Sequence, residues 1–464
     1  MTIEQKIKGR RVGILGMARS GIAAATLAKK EGGQPFVSDA AEAGRLTEQI
    51  RRLETAGIPF ETGAHTDKLL MCDYLIISPG VKLTIDILAQ ARAKGVPIFS
   101  ELEFASWFCK GKIAAITGTN GKTTTTALTG ELFKAAGVPC QVCGNIGLAF
   151  TEVVAELPSN GVAVVEVSSF QLETIADFRP HVAAILNVTP DHIDRHGSFE
   201  AYRDVKYRVA ENQTGSDYLV LNSEDPELLK SPVRTEAQTL WFSTRHNAAS
   251  TVTYVRDGSL WSRLDGREQS IIKCSEIGIL GPHNLQNAAA AVTIGTVLGL
   301  TPQAMAKALK QFPGVEHRLE NAGTVAGVNF INDSKATNVD SVCVALRSMA
   351  SPTYLILGGR DKGAPYTPII EAGKKVIKGL IVIGESRDKI FNDLGKSFPT
   401  MFTESLEEAV ARGFEQAHPG ETVLLSPGCA SFDMFDNFEH RGRVFKQAVK
   451  SLKNGKSKGE TVTR

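Results

Sequence analysis

Short apolar runs alternate with helical stretches in three successive series along this chain, and that alternation limits the possible folds more than any other feature. The series begin with apolar runs at 11–16, 112–118 and 353–359. Strands separated by helical segments form βαβ units, which require a parallel sheet covered by helices. At about 150 residues per domain, the length also favours roughly three domains. We therefore predict an α/β protein with domains at 1–110, 111–313 and 314–464.

The stretch 216–280 departs from this alternation. It is rich in threonine, serine and β-branched residues, and it contains short strand-like pieces such as 251–255. Runs of this composition without intervening helices are typical of β-strands rather than of βαβ units. We predict a side β-sheet in this part of the central domain.

Charge and composition exclude several classes of protein. Lysine and arginine total 52 and aspartate and glutamate 50, so the net charge is +2 and the strong positive field of a general nucleic-acid binder is absent. No apolar run approaches the ~20 residues that span a bilayer, and the N-terminus lacks the apolar region of a secretory signal. Seven scattered cysteines do not fit a disulfide framework. The sequence predicts a soluble, cytoplasmic protein that binds no nucleic acid and does not insert into membranes.

A glycine loop between the strand at 112–117 and the helix at 122–136 is the motif with the clearest chemistry. It reads Gly118-Thr119-Asn120-Gly121-Lys122-Thr123. Such a loop directs backbone N–H groups and a helix N-terminus at phosphates, while the lysine reaches the β- and γ-phosphates and the threonine hydroxyl binds Mg²⁺. The strict pattern has glycine where this chain has Ile116, so the motif is a variant. The alternative is an ordinary strand–helix turn with a surface lysine.

A second glycine loop follows the first strand. Residues 16–21 read GMARSG and approximate G-x-G-x-x-G, and Asp39 ends the next strand near the spacing of a ribose contact. Ser78-Pro79-Gly80 ends another strand of the same series. Carboxyl ends of parallel strands are where ligands bind in such folds. The alternative for residues 16–21 is a close-packed Rossmann-like turn with no nicotinamide cofactor. The alternative for Ser78-Pro79-Gly80 is a plain turn.

Two polar residues of the central series, Glu166 and His192, are candidates for metal chemistry. Glu166 lies within an otherwise apolar strand, where a carboxylate is costly unless it meets a cation. With a phosphate loop upstream, a Mg²⁺ ligand is the favoured interpretation, and a buried ion pair is the alternative. His192 follows the next strand and could ligate a metal through a neutral ring nitrogen. Lys206, taken alone, is a solvated lysine on a helix.

Several longer segments resemble one enzyme family when they are taken together. They are ITGTNGKTTT (116–125), GNIG (144–147), EVSSFQLE (166–173), NVTPDHIDRH (187–196), GPHNLQNAAAA (281–291) and HR (317–318). These segments are similar to the Mur ligases, which build the peptide stem of peptidoglycan. Two more, NDSKATN (332–338) and SPGCASFDMFDNFEHRG (426–442), resemble the D-glutamate-adding members of that family.

The resemblance implies a fold and a reaction. It implies a Rossmann-like N-terminal domain that binds a UDP-linked substrate, a P-loop-type ATPase central domain, and a Rossmann-like C-terminal domain that brings D-glutamate. The alanine carboxylate of UDP-N-acetylmuramoyl-L-alanine would attack the γ-phosphate of ATP, and the D-glutamate amine would attack the resulting acyl phosphate. ATP and two Mg²⁺ ions are the implied cofactors, and a monomer is expected.

The resemblance also assigns roles to single residues. Lys122 would hold phosphate, Thr123 and Glu166 one Mg²⁺, and His192 with a carbamylated Lys206 the other. The residues implied at the nucleotide are Gly118, Thr119, Asn120, Gly121, Lys122, Thr123, Thr124, Asn287, Arg318 and Asp333. Those implied at the reaction centre, besides Lys122, Glu166, His192 and Lys206, are Asn145, His317 and Lys335. The implied substrate contacts are Gly16, Met17, Ala18, Asp39, Ser78 and Gly80 for the UDP-linked substrate, and Thr337, Lys362, Ser431 and Phe438 for D-glutamate.

Three other functions compete with this interpretation. Folylpolyglutamate synthases share the ATPase core, but in them the phosphate loop lies close to the N-terminus. A nucleotide-dependent switch would need the loop and the Mg²⁺ ligands but neither Lys206 nor the segment 332–338. A nicotinamide-dependent dehydrogenase, inferred from 11–39 alone, leaves the phosphate loop without a use.

Overall fold

Three separate sheets, each covered by helices, follow one another along the chain in the computed structural model, which describes residues 2–245, 250–279 and 281–459. Most strand pairs in all three sheets are parallel, as the alternation of strands and helices predicts. The α/β fold with three domains is thus confirmed.

The N-terminal sheet has five parallel strands in the order β3-β2-β1-β4-β5. Its strands are β1 (Arg11–Leu15), β2 (Gln34–Asp39), β3 (Phe60–Thr62), β4 (Tyr74–Ile77) and β5 (Ile98–Ser100). Its helices are α1 (Ile3–Ile7), α2 (Arg19–Lys30), α3 (Thr47–Thr55), α4 (Asp86–Ala93) and α5 (Glu101–Ser106). Because the central strands β1 and β4 are buried on both faces, they are apolar throughout apart from Arg11 and Gly13.

The central sheet has nine strands in the order β14-β13-β12-β11-β10-β9-β6-β8-β7. They are β6 (Lys112–Thr117), β7 (Cys140–Gly144), β8 (Val162–Glu166), β9 (Val182–Ile185), β10 (Tyr218–Asn222), β11 (Gln238–Phe242), β12 (Thr251–Arg256), β13 (Ser259–Leu264) and β14 (Arg267–Lys273). The helices are α6 (Lys122–Ala135), α7 (Phe150–Val153), α8 (Ser169–Leu172), α9 (Ile193–His196), α10 (Phe199–Tyr207), α11 (Pro226–Lys230), α12 (Pro282–Val297) and α13 (Pro302–Gln311).

The strands predicted within 216–280 do not form a sheet of their own. β10 pairs in parallel with β9, and β11 and β12 continue the same ladder before the antiparallel strands β13 and β14 end it. The side sheet is therefore an extension of the central sheet. The physical reason is that β10, with four of its five residues buried, pairs with the apolar edge of β9.

The C-terminal sheet has six strands in the order β15-β16-β20-β17-β18-β19, with only the β15–β16 pair antiparallel. The strands are β15 (Glu320–Val325), β16 (Val328–Asn332), β17 (Thr353–Gly358), β18 (Ile377–Ile383), β19 (Thr400–Phe402) and β20 (Thr422–Leu425). The helices are α14 (Val339–Arg347), α15 (Pro368–Gly373), α16 (Arg387–Leu394), α17 (Leu406–Gln416) and α18 (Phe438–Gly459). Five short 3₁₀ helices complete the described part of the chain: Ala43–Arg45, Asp67–Met71, Val154–Glu156, Arg208–Ala210 and Cys274–Glu276.

The chain divides into two compact units. Residues 1–277 and 284–312 form the first, which contains the N-terminal and central sheets, and residues 278–283 and 313–464 form the second. Within the first unit, helices α2 and α5 of the N-terminal domain pack against α7 of the central domain, and one hydrophobic cluster joins the two domains. The predicted boundaries near 110 and 313 stay predictions. Across the described ranges, none of the helices has both the length and the apolar character that a membrane crossing requires.

Candidate functional site

The glycine loop between β6 and α6 is shaped by two glycines with positive φ. Gly118 has φ 150° and Gly121, the residue before α6, has φ 84°. A Cβ on Gly121 would stand 2.4 Å from Oδ1 of Asn287. Both the backbone and the space therefore require glycine at this position. The loop leads directly into the N-terminus of α6, and a glycine loop followed by a helix N-terminus is the arrangement that binds phosphate.

The segment that follows β9 holds this loop in place. The side chain of Asn187 accepts from the Asn120 N–H at 2.8 Å and donates to the Asn120 carbonyl at 3.1 Å. The Thr119 hydroxyl donates to the Thr189 carbonyl at 3.1 Å and accepts from the Thr189 N–H at 3.0 Å. Asn187 and Thr189 thus fix the loop from the segment after β9, a role that the sequence pattern did not assign to either residue.

Two lysine side chains meet at the carbonyl oxygen of Gly118. Lys122 Nζ donates to the carbonyls of Gly118 and Thr119, both at 2.8 Å, and Lys206 Nζ donates to Gly118 at 2.9 Å. Lys206 lies on α10 and is 1% exposed. Burial, together with the nearby cation of Lys122, lowers the pKa of Lys206 well below its usual value, while Asp191 and Glu166 oppose the shift. Lys206 is therefore a buried amine at the phosphate loop and not a solvated helix lysine.

Glu166 ends β8 beside the same loop. Its Oε1 accepts from Asn145 Nδ2 at 3.0 Å, and its carbonyl accepts from the Asn145 N–H at 2.9 Å. Its other oxygen, Oε2, is buried and has no hydrogen-bond partner among the described residues. A buried carboxylate oxygen in that state is stabilised by a cation, and oxygen ligands are those that Mg²⁺ prefers. The residues present fit a Mg²⁺ ion at this position.

His192 lies at the same edge of the central sheet. It follows β9 in a left-handed conformation, with φ 52°, and its side chain is 47% exposed. The ring of Tyr202 connects it to the loop, since that ring lies 6.3 Å from the His192 ring and 4.6 Å from Lys206 Nζ. An accessible imidazole at this position is available to a metal.

The remaining central residues lie in and beside the first turns of α6. Thr123 and Thr124 are buried there, and Asn287 accepts from the Thr125 hydroxyl at 3.2 Å. The structure thus brings together all the predicted residues of the central domain around one loop. Asn287 belongs to the first compact unit, whereas Arg318 and Asp333 belong to the second. Their predicted joint contact with one nucleotide stays a prediction.

The N-terminal candidates gather at the carboxyl edge of their sheet. The Met17 N–H donates to Asp39 at 2.7 Å, and the Ser78 hydroxyl contacts the Gly16 carbonyl at 3.5 Å. Ala18 precedes α2 without a side-chain cap, so N–H groups of the first turn stay available to a ligand. Gly80 is exposed at the end of the Ser78 loop.

The C-terminal candidates form two contacting groups in the second unit. Lys362 Nζ donates to the Thr337 hydroxyl at 3.4 Å. Lys335 Nζ lies 5.7 Å from the centre of the Phe438 ring, which meets the His317 ring edge-on at 6.3 Å. Ser431 is buried in the loop after β20. The side chains predicted for D-glutamate therefore lie at the carboxyl ends of the C-terminal strands or on α18.

Arg441 organises this region, although no role was predicted for it. It is 1% exposed, donates to Ser334 Oγ at 3.0 Å, and donates from both terminal nitrogens to the Cys429 carbonyl at 3.2 Å. Ser334 Oγ in turn donates to the Phe438 carbonyl at 2.8 Å. Burial lowers the pKa of Arg441 to about 10. The guanidinium thus ties the 332–338 segment to the loop that carries Ser431.

The chain is similar to known proteins along nearly its whole length. Models of the MurD N-terminal domain, the Mur ligase middle domain and the Mur ligase glutamate ligase domain match residues 11–87, 116–295 and 317–429. UDP-N-acetylmuramoylalanine–D-glutamate ligase of Koribacter versatilis is 42% identical over 96% of this chain and 98% of its own length. The ligase of the same name from a Thermoanaerobacter species is 41% identical over 97% of this chain and its own full length.

The chain belongs to the Mur ligase family. Within it, the match to the first domain and the two relatives assign the chain to the UDP-N-acetylmuramoylalanine–D-glutamate ligases. Among solved structures, the MurF ligase of Thermotoga maritima in complex with ADP has the same fold, with a TM-score of 0.58 and 17% identity over 90% of this chain and 95% of its own.

Asp333 of this Mur ligase is a titratable group with a folding consequence. It is 5% exposed, and its oxygens accept from the Ser426 hydroxyl at 2.8 Å and from the Leu319 N–H at 3.3 Å. Burial raises the pKa of Asp333 from 3.8 to about 7, against the lowering effect of Ser426, Arg318 and Arg441. The folded state therefore holds this proton at pH values where the unfolded chain has released it.

Asp333→Asn should remove a pH dependence of stability. Between the unfolded pKa of 3.8 and the folded pKa of about 7, the folded state binds more protons, so the stability contributed by Asp333 falls as pH rises. The amide of the variant can still accept from Leu319 and donate to Ser426. The melting temperature of the variant minus that of the wild type should therefore increase from pH 5 to pH 8. The exposed Asp388→Asn should show a constant difference, and a constant difference for Asp333→Asn would contradict the assignment.

Proposed function

We propose that this chain joins D-glutamate to UDP-N-acetylmuramoyl-L-alanine by an amide bond, at the expense of ATP and through an acyl phosphate. The observation that carries the proposal is the convergence of Lys122, Glu166 and Lys206 on one phosphate-type loop. A switch protein has no use for the buried amine of Lys206. The names of the relatives support the choice of substrates.

The reaction has two chemical steps. The alanine carboxylate attacks the γ-phosphorus and ADP leaves, which gives an acyl phosphate and a good leaving group. The D-glutamate amine then attacks the acyl carbon, and the tetrahedral intermediate loses inorganic phosphate and a proton. Because both steps build negative charge on phosphate oxygens, catalysis depends on positioning and on fixed cationic or dipolar groups.

The residues of the central domain supply these groups. Lys122 and the first N–H groups of α6 hold the phosphates, and Asn145 orients Glu166. Thr123 and Glu166 would hold one Mg²⁺, and His192 and Lys206 a second. When bound, the ions neutralise charge on the phosphate oxygens. Asn187 and Thr189 keep the loop in its binding conformation before substrate arrives.

Carbamylation of Lys206 is part of the proposal. The neutral amine adds to carbon dioxide and releases one proton, which converts a potential +1 charge to −1. Burial and the nearby Lys122 support this step, because both favour the neutral amine. The carbamate supplies two oxygens, which are the ligand type that Mg²⁺ prefers.

The outer domains bind the two substrates that are joined. The loops with Gly16, Met17, Ala18, Asp39, Ser78 and Gly80 would bind the UDP-linked substrate. Thr337, Lys362, Ser431 and Phe438 would bind D-glutamate, with Lys335 and His317 close to them. We propose a cytoplasmic location, because all seven cysteines are free thiols, as in a reducing compartment. The monomeric state stays a prediction.

Phosphate release from ATP tests the proposed reaction. Turnover should require both UDP-N-acetylmuramoyl-L-alanine and D-glutamate, each omitted in turn. A folate substrate with L-glutamate should give none, which separates this enzyme from folylpolyglutamate synthases. Basal release that is indifferent to both substrates would leave a nucleotide switch as the better description.

Ser431→Ala or Thr337→Ala should raise the KM for D-glutamate selectively. Loss of one hydrogen bond to a charged ligand costs roughly 1.5–3 kcal/mol, which is about tenfold or more in affinity. The KM values for ATP and for the UDP-linked substrate should change much less. Thr324→Ala, in the exposed β15–β16 hairpin, is the control. A rise in the KM for ATP with an unchanged KM for D-glutamate would refute the C-terminal assignment.

A further inference from the structure

Arg195 connects the segment after β9 to the loop after β4. Its Nε and one terminal nitrogen donate to the two carboxylate oxygens of Glu173 at 3.0 and 2.5 Å. The same terminal nitrogen donates to the carbonyl of Val81 at 3.2 Å. The side chains of Arg195 and Glu173 are only 17% and 10% exposed. A bidentate, largely buried pair of this kind has a fixed geometry.

Val81 closes the loop that carries Ser78 and Gly80. Its N–H donates to the Ser78 carbonyl at 3.0 Å, which forms a turn over the four residues 78–81. A Cβ placed on Gly16 would stand 2.8 Å from the Ser78 hydroxyl and 3.6 Å from a methyl group of Val81. The two N-terminal loops are therefore packed on each other, and Arg195 holds them through the Val81 carbonyl.

The same guanidinium supports the ring beside His192. It lies 4.3 Å from the centre of the Phe170 ring, which is 4.9 Å from the His192 ring. Glu173, the partner of Arg195, also approaches His196 Nδ1 at 3.5 Å. The Arg195 side chain thus contacts both the 78–81 loop and the Phe170 ring that lies beside His192. Arginine suits this position because its planar fork can bind a carboxylate and stack on a ring at once.

We propose that Arg195 is a positioning residue for the UDP-linked substrate: it fixes the 78–81 loop relative to His192, so that the bound substrate directs its carboxylate to the phosphate loop. The inference rests on the proposed function, because it concerns the same reaction. In this proposal, Arg195 does not touch the reacting atoms. Its effect is on where the substrate lies, and therefore on the affinity for that substrate.

Arg195→Lys keeps the positive charge but removes the planar guanidinium that makes two hydrogen bonds to Glu173. The KM for UDP-N-acetylmuramoyl-L-alanine should rise about tenfold or more, while the KM values for ATP and D-glutamate stay within about twofold. Glu173→Gln should raise the same KM selectively. The KM of the double variant should be no higher than that of the more impaired single variant. Arg51→Lys is the matched control, since Arg51 forms a bidentate pair with Glu48 on the exposed face of α3.

Hydrogen exchange gives a readout that needs no substrate. In Arg195→Lys the Val81 N–H should exchange faster, whereas the amides of α6 should keep their wild-type protection. An unchanged KM for the UDP-linked substrate, or an equal rise in all the KM values, would overturn the role of Arg195. If the wild type itself does not bind the UDP-linked substrate, the proposed function fails and the inference fails with it. If the wild type binds it and Arg195→Lys binds equally well, only the inference is lost.

Discussion

Lys206→Ala should lose nearly all turnover while it still binds ATP. Removing the buried amine deletes the group that would become a carbamate and a Mg²⁺ ligand. The expected loss is on the order of a thousandfold in kcat, the scale for removal of a preorganised charge-stabilising group. ATP binding should be much less affected, because Lys122 and the N–H groups of α6 remain. Single-turnover phosphate release and equilibrium titration with ATP measure the two quantities separately.

A small carboxylate should partly restore the Lys206→Ala variant. The substitution leaves space beside the Gly118 carbonyl, and acetate can supply there the two oxygens of the missing carbamate. Lys206→Arg should be inactive with or without acetate, because the guanidinium keeps a positive charge and fills the space. Lys230→Ala, at an exposed position of α11, should behave as the wild type. Full activity of Lys206→Ala without acetate, or normal activity of Lys206→Arg, would defeat the proposed carbamate.

The alternation of strands and helices was sufficient to predict the fold and the grouping of the central candidate residues at one edge of a sheet. Glu166 ends one parallel strand of the central sheet and His192 follows another, and the carboxyl ends of such strands meet at one edge whatever the details of packing. The continuity of the nine-stranded sheet was not predictable in the same way. Which strand pairs with β9 depends on long-range packing, and the composition of 216–280 contains no information on its partner.

The residues that were missed act through the backbone of distant segments. Arg441 donates to the Ser334 carbonyl across 107 residues, and Asn187 donates to the Asn120 carbonyl across 67. A side chain that donates to a carbonyl leaves no pattern at the partner position, because every residue has a carbonyl. Lys206 shows the same limit, since its helix looks amphipathic and its burial follows only from the tertiary structure. The role proposed for Lys206 comes from the family resemblance alone.

Lys122→Ala should abolish ATP turnover and also weaken the binding of ATP. The lysine lies at the first position of α6, where its charge and the N–H groups of the loop act on the same phosphates. Lys122 stabilises bound ATP in the ground state, and it stabilises the transition state more strongly because charge develops on the phosphate oxygens. Both the affinity for ATP and kcat should therefore fall. The loss in kcat should be on the order of a thousandfold. Lys206→Ala, in contrast, should leave ATP binding nearly intact.

The fold of the Lys122→Ala variant should survive. Lys122 is half-buried and lies on a loop that keeps other supports, because Asn187, Thr189 and Lys206 still bind Asn120, Thr119 and Gly118. The melting temperature of Lys122→Ala should therefore shift by only a few degrees. The control is Lys134→Ala, in the last turn of the same helix, which should match the wild type in both stability and turnover. Turnover and ATP titration, each measured beside a thermal melt, distinguish loss of chemistry from loss of structure. Near-normal turnover in a variant with an unchanged melting temperature would exclude this loop from the mechanism, and the assignments of Thr123 and Glu166 would lose their basis with it.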